Sequence, residues 1–500
     1  MGKLYQKLDT YGKSDYYPYH MPGHKRRGLG DMPEEIMGLD ITEIDGFDNL
    51  HQAEGILQEL QDKASELYGA GETFYLVNGS TCGILAAISA AVPGGGHILM
   101  ARNCHKSAYH GAYLRNLTIS YLYPTRNTEY DILEVITPTQ VEAALNQEPD
   151  IAAVLIVSPT YEGRIADIGA IAEIVHQRNI PLIVDEAHGA HLGLAEGFAP
   201  GSCTQGADLV IHSVHKTLPS LTQTALLHVN GNLVDSRKIR KFLHIYQSSS
   251  PSYLLMASID NALQVVAEQG KTLFAEFRRN FSGLLEDLTA CRNLQFVPLQ
   301  ENKQDIGKLV ISSKKTGLSG QQIYDILLRE YHLQLEMAAG SFCLAMFTLT
   351  DTVEAYDRMK QALLTIDEAI EKGTYGLFPY EKCRNAENKR AGSIAVGCKH
   401  ESTYDSSGQK ANSMQKQKAI PLSQAWDMDW EELPLGDAVG RYVGEFINLY
   451  PPGTPLLVPG EVLQKEQYEL LLEYFKQGLN VQGVEATPPH LVRVLKQDKM

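Results

Sequence analysis

The chain has 500 residues, with 44 Lys and Arg against 60 Asp and Glu, a formal net charge of −16, and seven cysteines. At roughly 100–200 residues per domain, this length allows about two to four domains and a large core. The acidic balance argues against a nucleic-acid binder, which needs clustered Lys and Arg. The odd number of scattered cysteines, without a C-x-x-C pair, indicates neither a zinc ribbon nor a disulfide framework.

From Met1 to Tyr19 the sequence is polar and tyrosine-rich, without the apolar core of a signal peptide. No apolar run approaches the ~20 residues that span a bilayer; the best is Ile151–Val157. The expectation is a reduced, cytoplasmic protein that binds neither membrane nor nucleic acid. Residues 1–50 read as an N-terminal arm, 51–290 as a large sheet domain, and 291–500 as a smaller α+β domain.

Within the large domain, short apolar runs alternate with amphipathic stretches of helical length. Phe74–Val77, Ile98–Met100, Ile119–Leu122, Ala152–Val157, Pro181–Val184, Leu209–His212 and Ala225–Val229 read as strands. Several are continuously apolar, as strands covered by helices on both faces are. Thr81–Val92, His105–Asn116, Gln140–Gln147 and Ile168–Arg178 carry helical spacing, the first stopped by Pro93 and three glycines. The alternation predicts an α/β domain of doubly wound type. Residues 232–268 read as helix, and the Lys-, Asn-, Ser- and Gln-rich stretch 381–417 as an exposed polar insertion.

The most informative stretch is Ile183-Val184-Asp185-Glu186-Ala187-His188-Gly189-Ala190-His191. A strand ending in an acid places Asp185 where doubly wound sheets bind ligands, although the same residue could simply cap a turn. Asp-Glu-Ala-His also spells a helicase motif. No phosphate loop accompanies it: the near miss at Gly270-Lys271-Thr272 has Val265 where the first glycine belongs. The pairs His188/His191 and His20/His24 lack a third ligand at a recognisable spacing, so no metal site is expected.

The strand Leu209–His212 runs into Ser213-Val214-His215-Lys216, the lysine standing twenty-eight residues after His188. A lysine at a buried strand end loses stability as a cation, which favours a nucleophilic amine able to form a Schiff base; a lone lysine there is otherwise a surface residue. Asn78-Gly79-Ser80-Thr81 opens a helix after the first strand, as a phosphate site or an ordinary serine cap. His105, in Arg102-Asn103-Cys104-His105-Lys106-Ser107, could face a planar ligand or cap its helix. A lysine for an aldehyde, an acid for a ring nitrogen, hydroxyls for a phosphate and an imidazole for a ring face together compose a pyridoxal 5′-phosphate site.

These motifs resemble those of the ornithine/lysine/arginine decarboxylases, fold-type-I pyridoxal-phosphate enzymes. Further likeness lies in His20-Met21-Pro22-Gly23-His24-Lys25, in Ser158-Pro159-Thr160-Tyr161-Glu162-Gly163, and in Tyr450-Pro451-Pro452-Gly453-Thr454-Pro455 followed by Pro459-Gly460-Glu461. It is strong over about residues 20–260 and good over 433–465. The resemblance implies a fold-type-I large domain with a mainly parallel sheet and a smaller α+β C-terminal domain. It implies Lys216 as the lysine carrying the cofactor, Asp185 at the ring nitrogen, and His105 and Ala187 on the two ring faces. Ser80, Thr81, Ser213 and His215 would hold the phosphate, with His188 also in the cofactor site.

Gln247-Ser248-Ser249-Ser250-Pro251 matches a segment reaching the neighbouring subunit's phosphate, so Ser249 and a homodimer or larger homo-oligomer are implied. Glu461 would approach the distal cation of the substrate. The first motif begins at His20, so the receiver-like domain of the long bacterial forms is not expected. The implied activity is decarboxylation of a basic L-amino acid, arginine or lysine favoured and ornithine possible, to agmatine or a diamine. The alternatives are another fold-type-I enzyme, an aminotransferase or lyase, and a catalytically silent regulatory homologue.

Overall fold

The computed structural model describes residues 2–27, 33–375, 419–451 and 453–496. The polar insertion expected at 381–417 lies outside the described residues. The chain first builds a seven-stranded sheet. Its strands are β1 (Glu72–Leu76), β2 (His97–Ala101), β3 (Thr118–Leu122) and, beyond the hairpin of β4 (Arg126–Asn127) and β5 (Ile132–Leu133), β6 (Ile151–Val157), β7 (Leu182–Asp185), β8 (Leu209–His212) and β9 (Ala225–Val229). The spatial order is β1-β9-β8-β7-β6-β2-β3. Strands β8, β7, β6, β2 and β3 pair in parallel, and β9 runs antiparallel between β8 and β1. Every residue of β7, β8 and β9 is buried, which explains their unbroken apolar runs.

The helix Gly79–Ala91 packs tightly on this sheet: a Cβ on Gly83 would come within 2.7 Å of Leu76. The helix expected across 232–268 is two helices, Ser236–Tyr246 and the 36-residue Tyr253–Leu288. Pro251 drives the preceding residue out of helical backbone. Ser252 then caps the second helix by accepting from the Leu255 N–H at 3.4 Å. At about 1.5 Å per residue the second helix is roughly 54 Å long. The N-terminal helix Lys3–Gly12 packs against it, with Leu4 and Leu8 fully buried and the Leu4 N–H donating to Asp260 at 2.8 Å.

Beyond residue 291 the chain builds two further groups of strands. The antiparallel sheet β10 (Gln295–Phe296), β11 (Lys308–Ser312), β12 (Met337–Ala338) and β13 (Phe342–Met346) carries the helices Gly320–Glu330 and Val353–Glu371. Residues of this unit, through Ile366, join the hydrophobic core of the large sheet. The strands β14 (Trp430–Pro434), β15 (Ile447–Leu449), β16 (Pro455–Leu457), β17 (Val481–Gln482) and β18 (Leu491–Leu495) surround a separate core running from Leu435 to Leu495.

Candidate active site

A cavity of about 1050 Å³ opens at the carboxyl ends of β2, β6, β7 and β8, bordered by the small sheet and by Leu449, Tyr450, Pro451, Thr454, Pro455 and Leu456. Ligands of open α/β sheets bind there because the loops that follow the strands converge there. Ser80, Thr81, His105, Asp185, Ala187, His188, Ser213, His215 and Lys216 all line it.

Asp185 ends β7 with 5% exposure, its Oδ1 accepting from the Ala187 N–H at 3.2 Å. Burial pushes its carboxyl up, opposed by the charge of Lys216 and by the Ala187 N–H. Lys216 lies just past β8 in the short helix Val214–Thr217. Burial lowers its ammonium below the usual lysine range, with Asp185 and Glu336 pulling the other way. Its Nζ lies 3.1 Å from Nε2 of His188.

Along an extended strand, neighbouring side chains point to opposite faces. Asp185 therefore faces the cavity while Glu186 turns behind it. Glu186 accepts from the Ser202 hydroxyl at 2.7 Å and from Nε2 of His212 at 2.8 Å. His212 Nδ1 lies 3.0 Å from His228 Nε2, and His228 Nδ1 2.8 Å from the Thr73 hydroxyl. Burial holds His228 neutral, so its ring donates to one neighbour in this row and accepts from the other. This buried chain ties β1, β9 and β8 to the loop that positions Asp185.

The two readings of His105 coexist. It caps the helix Lys106–Leu114, its Nδ1 accepting from the Ser107 N–H at 3.2 Å, and its ring still lines the cavity. Surrounding protein, then the Lys216 charge, hold its pKa down to about 4, so the ring is neutral at physiological pH. Gly453, at φ +81°, lies so near that a Cβ there would sit 3.5 Å from the His105 ring.

The phosphate end shows a buried group without a partner among the described residues. Asn78 provides no side-chain cap for the helix Gly79–Ala91; the Gly79 N–H donates to the Gln223 carbonyl at 2.8 Å, and Ser80 and Thr81 line the cavity. The Ser213 hydroxyl is buried and has no hydrogen-bond partner among the described residues. His215, its pKa lowered by burial, uses Nδ1 on the Thr224 carbonyl at 2.8 Å. A helix N-terminus, two open hydroxyls and an orphaned buried hydroxyl fit a phosphate.

Two residues stand elsewhere. Ser249 is exposed and does not line the cavity. Glu461, expected at the cationic end of a substrate, is instead buried against Arg102 at 3.0 Å and accepts from the Val458 N–H at 2.9 Å. Its carboxylate is committed to the fold and is absent from the cavity wall. Arg102 reaches from the end of β2 to the carbonyls of Pro455 and Leu456 as well. Sequence reasoning also missed Lys308, which approaches His188, and Glu336, which lines the cavity and accepts the Tyr161 hydroxyl. A lysine directly before the apolar run Leu309–Ile311 of β11 was the available signal for the first.

A mainly parallel sheet with a lysine and a carboxylate at adjoining strand ends is the fold-type-I arrangement that the motifs imply. Residues 3–305 match the family described as Orn/Lys/Arg decarboxylase, major domain, and residues 401–483 match its C-terminal domain. The chain belongs to this family of decarboxylases. The arginine decarboxylase of Bacillus subtilis (strain 168) is 29% identical over 99% of this chain and 98% of that protein. That of Halalkalibacterium halodurans is 29% identical over 99% and 97%. The crystal structure of the Francisella novicida lysine decarboxylase LdcF superposes with a TM-score of 0.79 at 18% identity, covering 99% of this chain and 81% of that one. Among the described residues no helix is long and apolar enough to cross a membrane, and no cluster of three or more ligating side chains could hold a metal.

Proposed function

We propose that the chain is a pyridoxal-phosphate-dependent decarboxylase of L-arginine, releasing CO₂ and agmatine. The observation that carries the chemistry is the pairing of a buried strand-end carboxylate, Asp185, with a lysine of lowered pKa, Lys216, in one large cavity. The choice of arginine rests on the relatives named arginine decarboxylase along nearly the whole chain, with lysine the next candidate.

When bound, the cofactor supplies an electron sink for the pair left at Cα as CO₂ departs. Lys216 would hold it covalently, Asp185 would face its ring nitrogen, and His105 and Ala187 would sandwich its ring. Ser80, Thr81, Ser213 and His215 would hold its phosphate. Burial keeps the Lys216 amine ready to attack, since only the unprotonated amine is a nucleophile. Asp185 must carry its charge to stabilise a protonated ring nitrogen. Its burial, costly in isolation, is offset once that cation is beside it. His188 holds the Lys216 amine at 3.1 Å and so keeps it inside the cavity.

An aminotransferase would keep the substrate carboxylate, commonly on a free bidentate arginine. The two arginines lining the cavity, Arg102 and Arg126, are each paired with an acid, Glu461 and Asp131. This supports loss of the carboxylate over its retention. For the distal cation of the substrate, Glu336 is the acid offered by the small sheet; exchange for glutamine should raise KM with little change in kcat.

The chain is proposed to act as a homodimer. Supporting this, Ser249 stands exposed outside its own cavity, and the N-terminal arm presents exposed aromatics such as Tyr19, 90% exposed. The deciding experiment supplies arginine, lysine and ornithine, each labelled at the carboxyl carbon, and identifies the products by mass. Labelled CO₂ with agmatine supports the assignment; keto-acid formation, or no turnover with cofactor bound, overturns it.

A further inference from the structure

Glu186 follows the last residue of β7, and His212 is the last residue of β8. The two strands pair in parallel with Asp185 opposite Ile211, and the pairing runs on past both. The Glu186 N–H donates to the Ile211 carbonyl at 3.0 Å and the Ser213 N–H to the Ala187 carbonyl at 3.3 Å. Continued by one residue, that register sets Glu186 beside His212; by two, it sets Ala187 beside Ser213. Neighbours along a strand alternate between faces. Asp185, Ala187 and Ser213 line the cavity, whereas Glu186 and His212 do not, and each of these two is 1% exposed.

On that hidden face Oε2 of Glu186 accepts from Nε2 of His212 at 2.8 Å, and Oε1 from the Ser202 hydroxyl at 2.7 Å. The Ser202 N–H approaches the two oxygens at 3.3 and 3.2 Å. Gly189, three residues on, leaves room for the acid: a Cβ there would fall 2.5 Å from Cγ of Glu186. The glycine of the Asp-Glu-Ala-His-Gly run thus serves the glutamate of the same run.

Burying a carboxylate adds little net stability over apolar packing of the same volume, and the attested use of a buried charge is to fix register. The chain around this pair shows which register matters. Asp185 stands directly before the acid, Ser213 directly after the histidine, and Lys216 four residues after it. A rigid aromatic ring held by a carboxylate at its nitrogen, and by an amine and hydroxyls elsewhere, tolerates one spacing between those anchors. Past the strand ends two backbone bonds resist splaying, and the outer one is the longer, at 3.3 Å. A hydrogen bond to a carboxylate is roughly twice as strong as one between neutral groups.

We infer that Glu186 and His212 are positioning residues: by joining the end of β7 to the end of β8, they hold Asp185 at the spacing from Ser213 and Lys216 that lets one cofactor ring meet all three. The inference rests on the reading of Asp185 as the partner of the ring nitrogen.

The test compares two ligands of the full-length protein after its cofactor is stripped: pyridoxal 5′-phosphate and its 1-deaza analogue, which carries carbon in place of the ring nitrogen. The ratio of their Kd values, from equilibrium dialysis, reads how well Asp185 meets the ring while the other anchors hold it. The unsubstituted protein should favour the nitrogen-bearing ring. In Glu186→Leu that preference should fall about tenfold, the worth of one hydrogen bond to a charged group. His212→Phe opens the same bond from the other strand and should lower the preference by a similar factor. Glu186→Gln keeps an oxygen for His212 and should keep the preference. Ser202→Ala removes a hydrogen bond from the same carboxylate but leaves the link between strands, so it should lower Tm with the preference unchanged. A role in stability alone would weaken both ligands equally. An unmoved preference in Glu186→Leu or His212→Phe, or one lost as fully in Glu186→Gln or Ser202→Ala, would overturn the inference alone. Absence of any preference in the unsubstituted protein would overturn it together with the reading of Asp185. Should Glu186→Leu not fold, His212→Phe against Ser202→Ala supplies the same comparison.

Discussion

The cavity has two polar ends, and they differ in whether their groups are already satisfied. At one end, the Ser213 hydroxyl is buried without a partner among the described residues and the helix Gly79–Ala91 starts without a side-chain cap. At the other, Arg102 gives hydrogen bonds to the Tyr109 hydroxyl, to two backbone carbonyls and to Glu461, itself 8% exposed. A buried polar group left open costs stability in the free protein and is sustained where a ligand completes it. A fully paired buried charge has nothing left to offer a ligand. The first end is built to receive, and the second locks the C-terminal unit onto the end of β2.

Lys216 is where the receiving end should break most completely. Lys216→Ala should remove the visible absorbance of the lysine-bound cofactor and lower decarboxylation by on the order of 10⁴-fold or more, as loss of a covalent catalytic group does. An unchanged visible spectrum would end the assignment of this lysine.

The locking end should break as a fold. Glu461→Ala leaves Arg102 buried beside neutral groups, and breaking a buried pair from one side costs about 3–5 kcal/mol. A large fall in Tm is expected, with KM for the substrate little changed in the protein that remains folded. Replacing both members, Arg102→Met with Glu461→Leu, should recover much of that loss, because the penalty comes from the abandoned charge. A raised KM at unchanged Tm would return Glu461 to the substrate and erase the distinction between the two ends.

Much of the receiving end was legible in the sequence, and the reason is local. Continuous apolar runs mark the buried strands, and an acid or a lysine directly after such a run must sit at a strand end. Asp185 was placed at a strand end in this way, whereas Lys216, four residues past its strand, was singled out by the other motifs around it. The locking end was not legible, because Arg102 and Glu461 meet across 359 residues. Proximity of that kind is set by how the C-terminal unit docks, which no periodicity encodes. Lys308 and Glu336 were missed for the same reason: one opens and the other directly precedes a strand of the small sheet, and only the packing of that sheet over the cavity brings them to His188 and Tyr161. The break at 247–252 failed differently, since apolar spacing on both sides masked the punctuation of Pro251.

Asp185→Asn tests the electrostatic core of the receiving end with smaller consequences than loss of the lysine. The amide keeps the shape and the Ala187 contact but cannot pair with a protonated ring nitrogen. Cofactor capture should survive while turnover falls on the order of 10²-fold or more, the scale for removing a preorganised electrostatic partner. The free protein should lose no stability, since burial already pushes this carboxyl up and an amide carries no charge to bury. A near-native rate would refute the assigned role.

The mildest test separates the two ends by sign. Ser213→Ala deletes a hydroxyl that has no partner among the described residues, so the protein without cofactor should keep its Tm or gain slightly. Cofactor affinity should weaken by about 1–1.5 kcal/mol, roughly five- to tenfold in Kd, the net worth of one hydrogen bond to a phosphate oxygen. At the locking end the analogous deletion, Tyr109→Phe, removes a hydroxyl that donates to the Arg102 carbonyl at 2.8 Å and accepts from its guanidinium at 2.9 Å. That variant should lose Tm with cofactor affinity unchanged. If Ser213→Ala instead lowers Tm and leaves Kd alone, its hydroxyl serves the fold and the phosphate is held by the helix end, Ser80 and Thr81.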